Sequence, residues 1–166
     1  MRYPGPWQSA ARPEGPNGPE APPGDFTVRL TVGSVTATQP LKIVEDPRVT
    51  ADGVTTADLQ AQFEHNMQVR DLVSDANKTV SKLRAAQIQF KNNDSILPRL
   101  NELSSHLVTP IVRYSKPELV THITYLYSMT NATDQAPGLD AVERLKELRK
   151  ELDQRIAELN KILGQQ

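Results

Sequence analysis

His65, His106 and His122 are the chain's three histidines, the side chains best suited to carry protons or bind a metal near neutral pH. Their spacing supplies neither His-x-x-x-His nor His-Glu-x-x-His, the patterns that place two ligands on one helix face. Each falls on a different predicted helix, so surface or singly hydrogen-bonded histidines are expected. The absence of cysteine excludes disulfides and thiolate metal sites. Among the 20 acidic residues, Glu143, Glu147, Glu151, Asp153 and Glu158 share a predicted helix with lysines and arginines, the pattern of a solvated face. Glycoside hydrolysis needs two carboxyls held across a cleft, and no spacing here sets up such a pair. A Gly-x-Ser-x-Gly nucleophile elbow is missing, as are Gly-x-Gly-x-x-Gly and Walker patterns. No catalytic residue, metal ligand or cofactor is therefore expected. Asn77-Lys78-Thr79 and Asn131-Ala132-Thr133 match the glycosylation acceptor; the first lies inside a predicted helix, and both read as chance matches. Tyr114, Tyr125 and Tyr127 gather around one predicted helix, where core or rim packing is expected.

The elements that would position any site begin with two strands. Phe26-Thr27-Val28-Arg29-Leu30-Thr31-Val32 alternates apolar and polar side chains, the period of a strand with one buried face. Gly33-Ser34 is a two-residue hairpin signal, and the return strand runs to about Val44, just before Asp46-Pro47. A lone hairpin is marginal in water. Its apolar side, Phe26, Val28, Leu30 and Val32, must be covered either by the helices that follow or by strands of a longer protein.

Everything after the hairpin reads as helix. Thr55 or Thr56 is the expected cap of a first helix to about Asn92, with Asp58 favouring its N-terminus. Its apolar stripe is Leu59, Phe63, Met67, Val73, Ala76, Val80, Leu83 and Phe90. Asn92-Asn93-Asp94-Ser95 breaks it. A shorter helix then buries Ile96, Leu100, Leu103 and Leu107, with Pro98 in its first turn. Ser115-Lys116-Pro117-Glu118 reads as a capping box for a third helix carrying Leu119, Ile123, Leu126 and Tyr127 to about Thr130. Asp134–Gly138 is a turn. The last helix alternates threes and fours through Leu139, Val142, Leu145, Leu148, Leu152, Ile156, Leu159 and Ile162, with Glu151–Arg155 and Arg149–Asp153 as pairs four residues apart. Apolar rows of that length permit self-association as well as packing against the first helix.

The predicted fold class is mainly α: an antiparallel up-and-down helical bundle of about four helices, first and last long, preceded by a β-hairpin. Its divisions are a Pro/Gly-rich extended tail over 1–24, the hairpin over 25–45, a linker over 46–55 and the bundle over 56–166. The tail holds most of the chain's 13 prolines and should be extended, with Tyr3 and Trp7 its only large rings. A formal net charge of -1, with no cluster of lysine or arginine, argues against a nucleic-acid partner. No apolar run approaches the ~20 residues of a membrane span, and Met1–Trp7 lacks the apolar core of a signal peptide. Protein is the expected partner, either the rest of a parent chain or a second copy. The candidate interaction residues are Phe26, Val28, Leu30 and Val32 on the hairpin and Leu145, Leu152 and Leu159 on the last helix.

Ala21-Pro22-Pro23-Gly24-Asp25-Phe26-Thr27-Val28-Arg29-Leu30-Thr31-Val32, then Thr38-Gln39-Pro40-Leu41 and Glu45-Asp46-Pro47-Arg48-Val49, resemble the C-terminal region of bacterial BNR-repeat, sortilin-like β-propeller proteins. These proteins are glycosyl hydrolase-like, or sialidase-like. In them, a pattern close to PG-x-Y-x-V-x-L-x-V…Q-x-L-x-V-x-x-DPR forms the last two strands of an immunoglobulin-like module, followed by a helical segment. Asp134-Gln135-Ala136-Pro137 and Leu148-Arg149-Lys150-Glu151-Leu152-Asp153 resemble that segment's final loop and helix, and Arg2-Tyr3-Pro4-Gly5 a motif upstream of the hairpin. Phe26 stands where the family has tyrosine, which removes the hydroxyl of a tyrosine corner. The resemblance implies an exported bacterial parent whose propeller, and any glycan hydrolysis, lies outside this chain. It implies that the chain is a non-catalytic C-terminal structural or protein-interaction module, a fragment or the product of a split reading frame; a stand-alone helical adaptor is the alternative.

Overall fold

A reciprocal cap starts the longest helix. The Thr55 hydroxyl accepts the Asp58 backbone N–H at 3.2 Å, while the Asp58 carboxylate accepts the Thr55 backbone N–H at 2.9 Å, so two otherwise orphaned donors are satisfied. The computed structural model describes residues 18–164; Tyr3, Trp7 and the Arg2–Gly5 motif lie outside them. Two strands come first, β1 (Gly24–Val32) and β2 (Val35–Ile43). Five helices follow: α1 (Pro47–Ala51), α2 (Thr56–Gln89), α3 (Leu97–Leu107), α4 (Leu119–Thr130) and α5 (Leu139–Leu163). The chain is mainly helical, with an N-terminal two-stranded antiparallel hairpin.

Helix α2, 34 residues and about 50 Å long, is the element that α3, α4 and α5 all pack against. Its buried positions, Val69, Leu72, Ala76, Val80, Leu83 and Ala86, recur at threes and fours. All of these except Val80 meet Leu100, Leu103 and Leu107 of α3, Leu119, Ile123 and Leu126 of α4, and Leu148, Leu152 and Ile162 of α5 in one core. The seam differs at its start from the expected stripe. Leu59, Phe63 and Met67 are only half-buried, and His65, Asn66 and Val69 turn inward instead. The cause is polar: the Gln62 and Asn66 side-chain amides donate to the carbonyl of Thr130, at 2.9 and 3.1 Å. They satisfy the open C-terminal end of α4 and set the rotation of α2 there.

Three further departures concern caps and ion pairs. A short helix, α1, lies inside the expected linker because Asp46 caps the Arg48 N–H at 2.8 Å and Pro47 suits a first turn. Ser115 does not cap α4. That helix begins at Leu119, and the Thr109 hydroxyl accepts the Glu118 backbone N–H at 2.8 Å. Arg155 pairs with Glu158 at 3.2 Å rather than with Glu151. Arg149 does pair with Asp153, and it also reaches Asp75 of α2 at 2.8 Å. Its guanidinium holds the Asp75 carboxyl below the usual range. Lys82 and Asn160, 2.7 Å apart, and Gln87 and Asn101, 2.9 Å apart, tie α2 to α5 and α3.

Core and hairpin should therefore respond differently to truncation. Leu152, fully buried, should cost about 2–5 kcal/mol when replaced in Leu152→Ala. Leu30→Ala, on an exposed strand, should change the unfolding free energy read by urea titration of the helical circular-dichroism signal by less than about 0.5 kcal/mol.

Candidate functional site

Alternation along the hairpin separates two chemistries. The register pairs Phe26 with Leu41, Val28 with Gln39, Leu30 with Ala37 and Val32 with Val35, so one face is apolar apart from Gln39. The other carries Asp25, Thr27, Arg29 and Thr31 against Lys42, Pro40, Thr38 and Thr36, polar except for the proline. Gly33, at φ +61°, makes the turn, a conformation glycine adopts without the penalty of a Cβ.

The helices do not cover the apolar face. Exposure rises from 37% at Phe26 through 52% and 65% at Val28 and Leu30 to 68% at Val32. No Cα of either strand comes within 8 Å of a helix. The first of the two coverings expected from sequence is thereby excluded among the described residues. Leu145, Leu152 and Leu159 require the opposite correction. They are buried in the core against the other helices, because α5 uses its leucine row at home, so they present no free surface. Of the three tyrosines expected to pack at the core or rim, Tyr127 does so, while Tyr114 and Tyr125 are exposed; Ile111 and Val112, in the α3–α4 connection with Tyr114, are exposed too and were not singled out from the sequence. Tyr114 there takes a left-handed φ of +61°, with the Arg113 guanidinium 4.9 Å from its ring centre.

The two edges of the hairpin are unequal. Pro40 has no N–H, so the Thr27–Pro40 pair cannot exchange both ladder bonds. Alternation along an antiparallel pair then directs the N–H and C=O groups of Asp25, Thr27, Arg29 and Thr31 outward from β1. It directs those of Thr36, Thr38, Pro40 and Lys42 outward from β2. The β1 edge is an unbroken row of donors and acceptors; the β2 edge lacks its donor at Pro40. Proline in that place was legible in the sequence, since strand proline belongs on an edge.

At the hairpin's foot a cleft of about 420 Å³ is lined by Pro22, Pro23, Ile43, Val49, Leu59 and Phe63 with polar groups from α2 and the Asn131–Asp134 turn. Its carboxylates at the junction are engaged. Glu45 accepts the Thr56 hydroxyl, which holds its carboxyl below the ordinary range. The Arg48 guanidinium, 2.6 Å away, together with the Arg48 backbone N–H, brings the Asp46 carboxyl down to about 2. These contacts fix the exit of β2 toward α2. The histidines do not converge: His106 and His122 are exposed, while His65 is buried with Nε2 lacking a partner. Burial lowers its pKa, so it is neutral near pH 7. Among the described residues no group of three or more histidine, aspartate or glutamate side chains could hold a metal ion. No described helix is long and apolar enough to cross a membrane.

Two pH effects follow. Order at α1 that depends on Asp46 is complete above the ordinary carboxylate value of about 4 and lost as pH falls through about 2. Proton titration of that carboxyl by NMR, alongside amide exchange at Arg48, should show it; a midpoint near 4 would contradict the cap. His65 binds a proton more readily unfolded than folded, so stability should fall as pH drops below about 6.5. His65→Leu should flatten that part of a melting-temperature profile.

No protein-family model matches the chain, and neither a curated protein nor a solved structure matches it.

Proposed function

We propose that this chain is a non-catalytic protein-interaction module in which the hairpin docks and the helices form its base. One observation carries the reading: a two-stranded ribbon with an apolar face that no described helix covers. Contiguous exposed apolar surface of this kind marks interaction sites, and a ribbon of two strands needs further strands or a packed helix to be independently stable. The base would be an antiparallel up-and-down bundle. The packing of α3, α4 and α5 on α2 supports it, as do the connections over 90–96 and 131–138, both shorter than the one over 108–118. The resemblance to the C-terminal region of BNR-repeat, sortilin-like proteins agrees with such a role, since there the same two strands complete a sandwich.

Purified full chain, examined by light scattering and with a dye that fluoresces on apolar surface, provides the test. Wild type should associate or light up the dye, and Leu30→Asp with Val28→Asp should abolish either signal while leaving the helical circular dichroism intact. A strictly monomeric protein without dye binding would overturn the proposal. So would turnover of sialyl or β-glucan substrates that a single carboxylate substitution removes.

A further inference from the structure

We infer that the β1 edge pairs with the β1 edge of a second copy of this chain, antiparallel about Thr27, to give a four-stranded sheet ordered β2-β1-β1-β2. The inference rests on the interaction reading above and names its partner. The choice of edge comes from Pro40, which removes a donor from the β2 edge, whereas Asp25, Thr27, Arg29 and Thr31 leave the β1 edge whole. In the described residues the sheet ends there, with two strands only. A two-fold contact must use the same edge on both copies.

Charge selects the second copy and the register. Asp25 and Arg29 stand two residues either side of Thr27 on the polar face, both exposed. Neither forms an ion pair among the described residues. Pairing centred on Thr27 sets Asp25 of each copy directly opposite Arg29 of the other, twice by symmetry. The same register makes Thr27–Thr27 and the two Asp25–Arg29 pairs the hydrogen-bonded ones, as their outward-pointing backbone groups require. On the apolar face Phe26 of one copy then lies opposite Val28 of the other, an aromatic–β-branched pair of the kind that stabilises sheets. The product has the three or more strands and continuous apolar face that a lone ribbon lacks.

Light scattering of the full chain tests this through proline and charge variants. Thr27→Pro and Thr38→Pro each remove one outward N–H, from the β1 and β2 edges respectively, so their damage to the hairpin itself is matched. Wild type and Thr38→Pro should show twice the mass of one chain, and Thr27→Pro the mass of one. Arg29→Asp and Asp25→Arg should each be monomeric alone and form a one-to-one dimer when mixed, because the mixture restores opposite charges at both positions. A monomeric wild type, a dimer that survives Thr27→Pro, equal loss in both proline variants, or no recovery on mixing would each overturn the pairing. If the wild type is monomeric yet its dye signal still disappears in Leu30→Asp with Val28→Asp, a different protein covers the hairpin and the interaction reading stands.

Discussion

Leucine burial along α2 is the constraint from which the rest of the molecule follows. Helices shorter than about 12–15 residues are marginal alone, and α3 and α4 are 11 and 12 residues long. Each must draw its stability from packing. Leu100, Leu103 and Leu107 on one, and Leu119, Ile123 and Leu126 on the other, are all buried in the core shared with α2. α5 closes the same core with Leu148, Leu152, Leu159 and Ile162. Val28, Leu30 and Val32 of the ribbon stay outside it, with no strand Cα within 8 Å of a helix Cα.

Polar contacts decide how those rows meet. Leucine on leucine tolerates rotation and sliding, whereas an amide that must reach a particular carbonyl does not. Gln62 and Asn66, held by the C-terminal end of α4, turn the start of α2 away from the rotation its apolar residues alone suggest. Leu59 and Phe63 are consequently left to line the cleft where the hairpin joins. Arg149 does comparable work farther along, binding Asp75 and Asp153 together across α2 and α5. Such partly exposed pairs contribute little net stability; their effect is on register.

What could be read from the sequence follows the same division. Strand alternation from Phe26 to Val32, the Gly33-Ser34 turn, the Thr55 cap, Pro98 in a first turn and the leucine spacing of α5 are local signals, and each element formed where they place it. The rotation of α2, the use of Thr109 rather than Ser115 at the start of α4, and the burial of Leu145, Leu152 and Leu159 depend on residues distant in sequence. A spacing of threes and fours states that a row will be buried without stating against what. The candidate site was half legible for the same reason. Its apolar face is a local pattern, but its exposure is a property of the whole chain.

The hairpin's two exposed faces also bear on why an added strand matters more to it than to a strand inside a larger sheet. Each ladder hydrogen bond contributes only about 0.5–1.5 kcal/mol net, while fixing the backbone of each residue costs about 1–2 kcal/mol. In most sheets side-chain burial makes up the difference. Here Val28, Leu30, Val32 and Val35 are all more than half exposed, so that contribution is largely missing. An edge partner supplies new ladder bonds to residues already extended and places apolar neighbours beside Phe26 and Val28. The order of the ribbon and its association are thus one free-energy problem. A sequence that keeps the β1 edge whole while placing proline on β2 leaves β1 the better edge for an added strand.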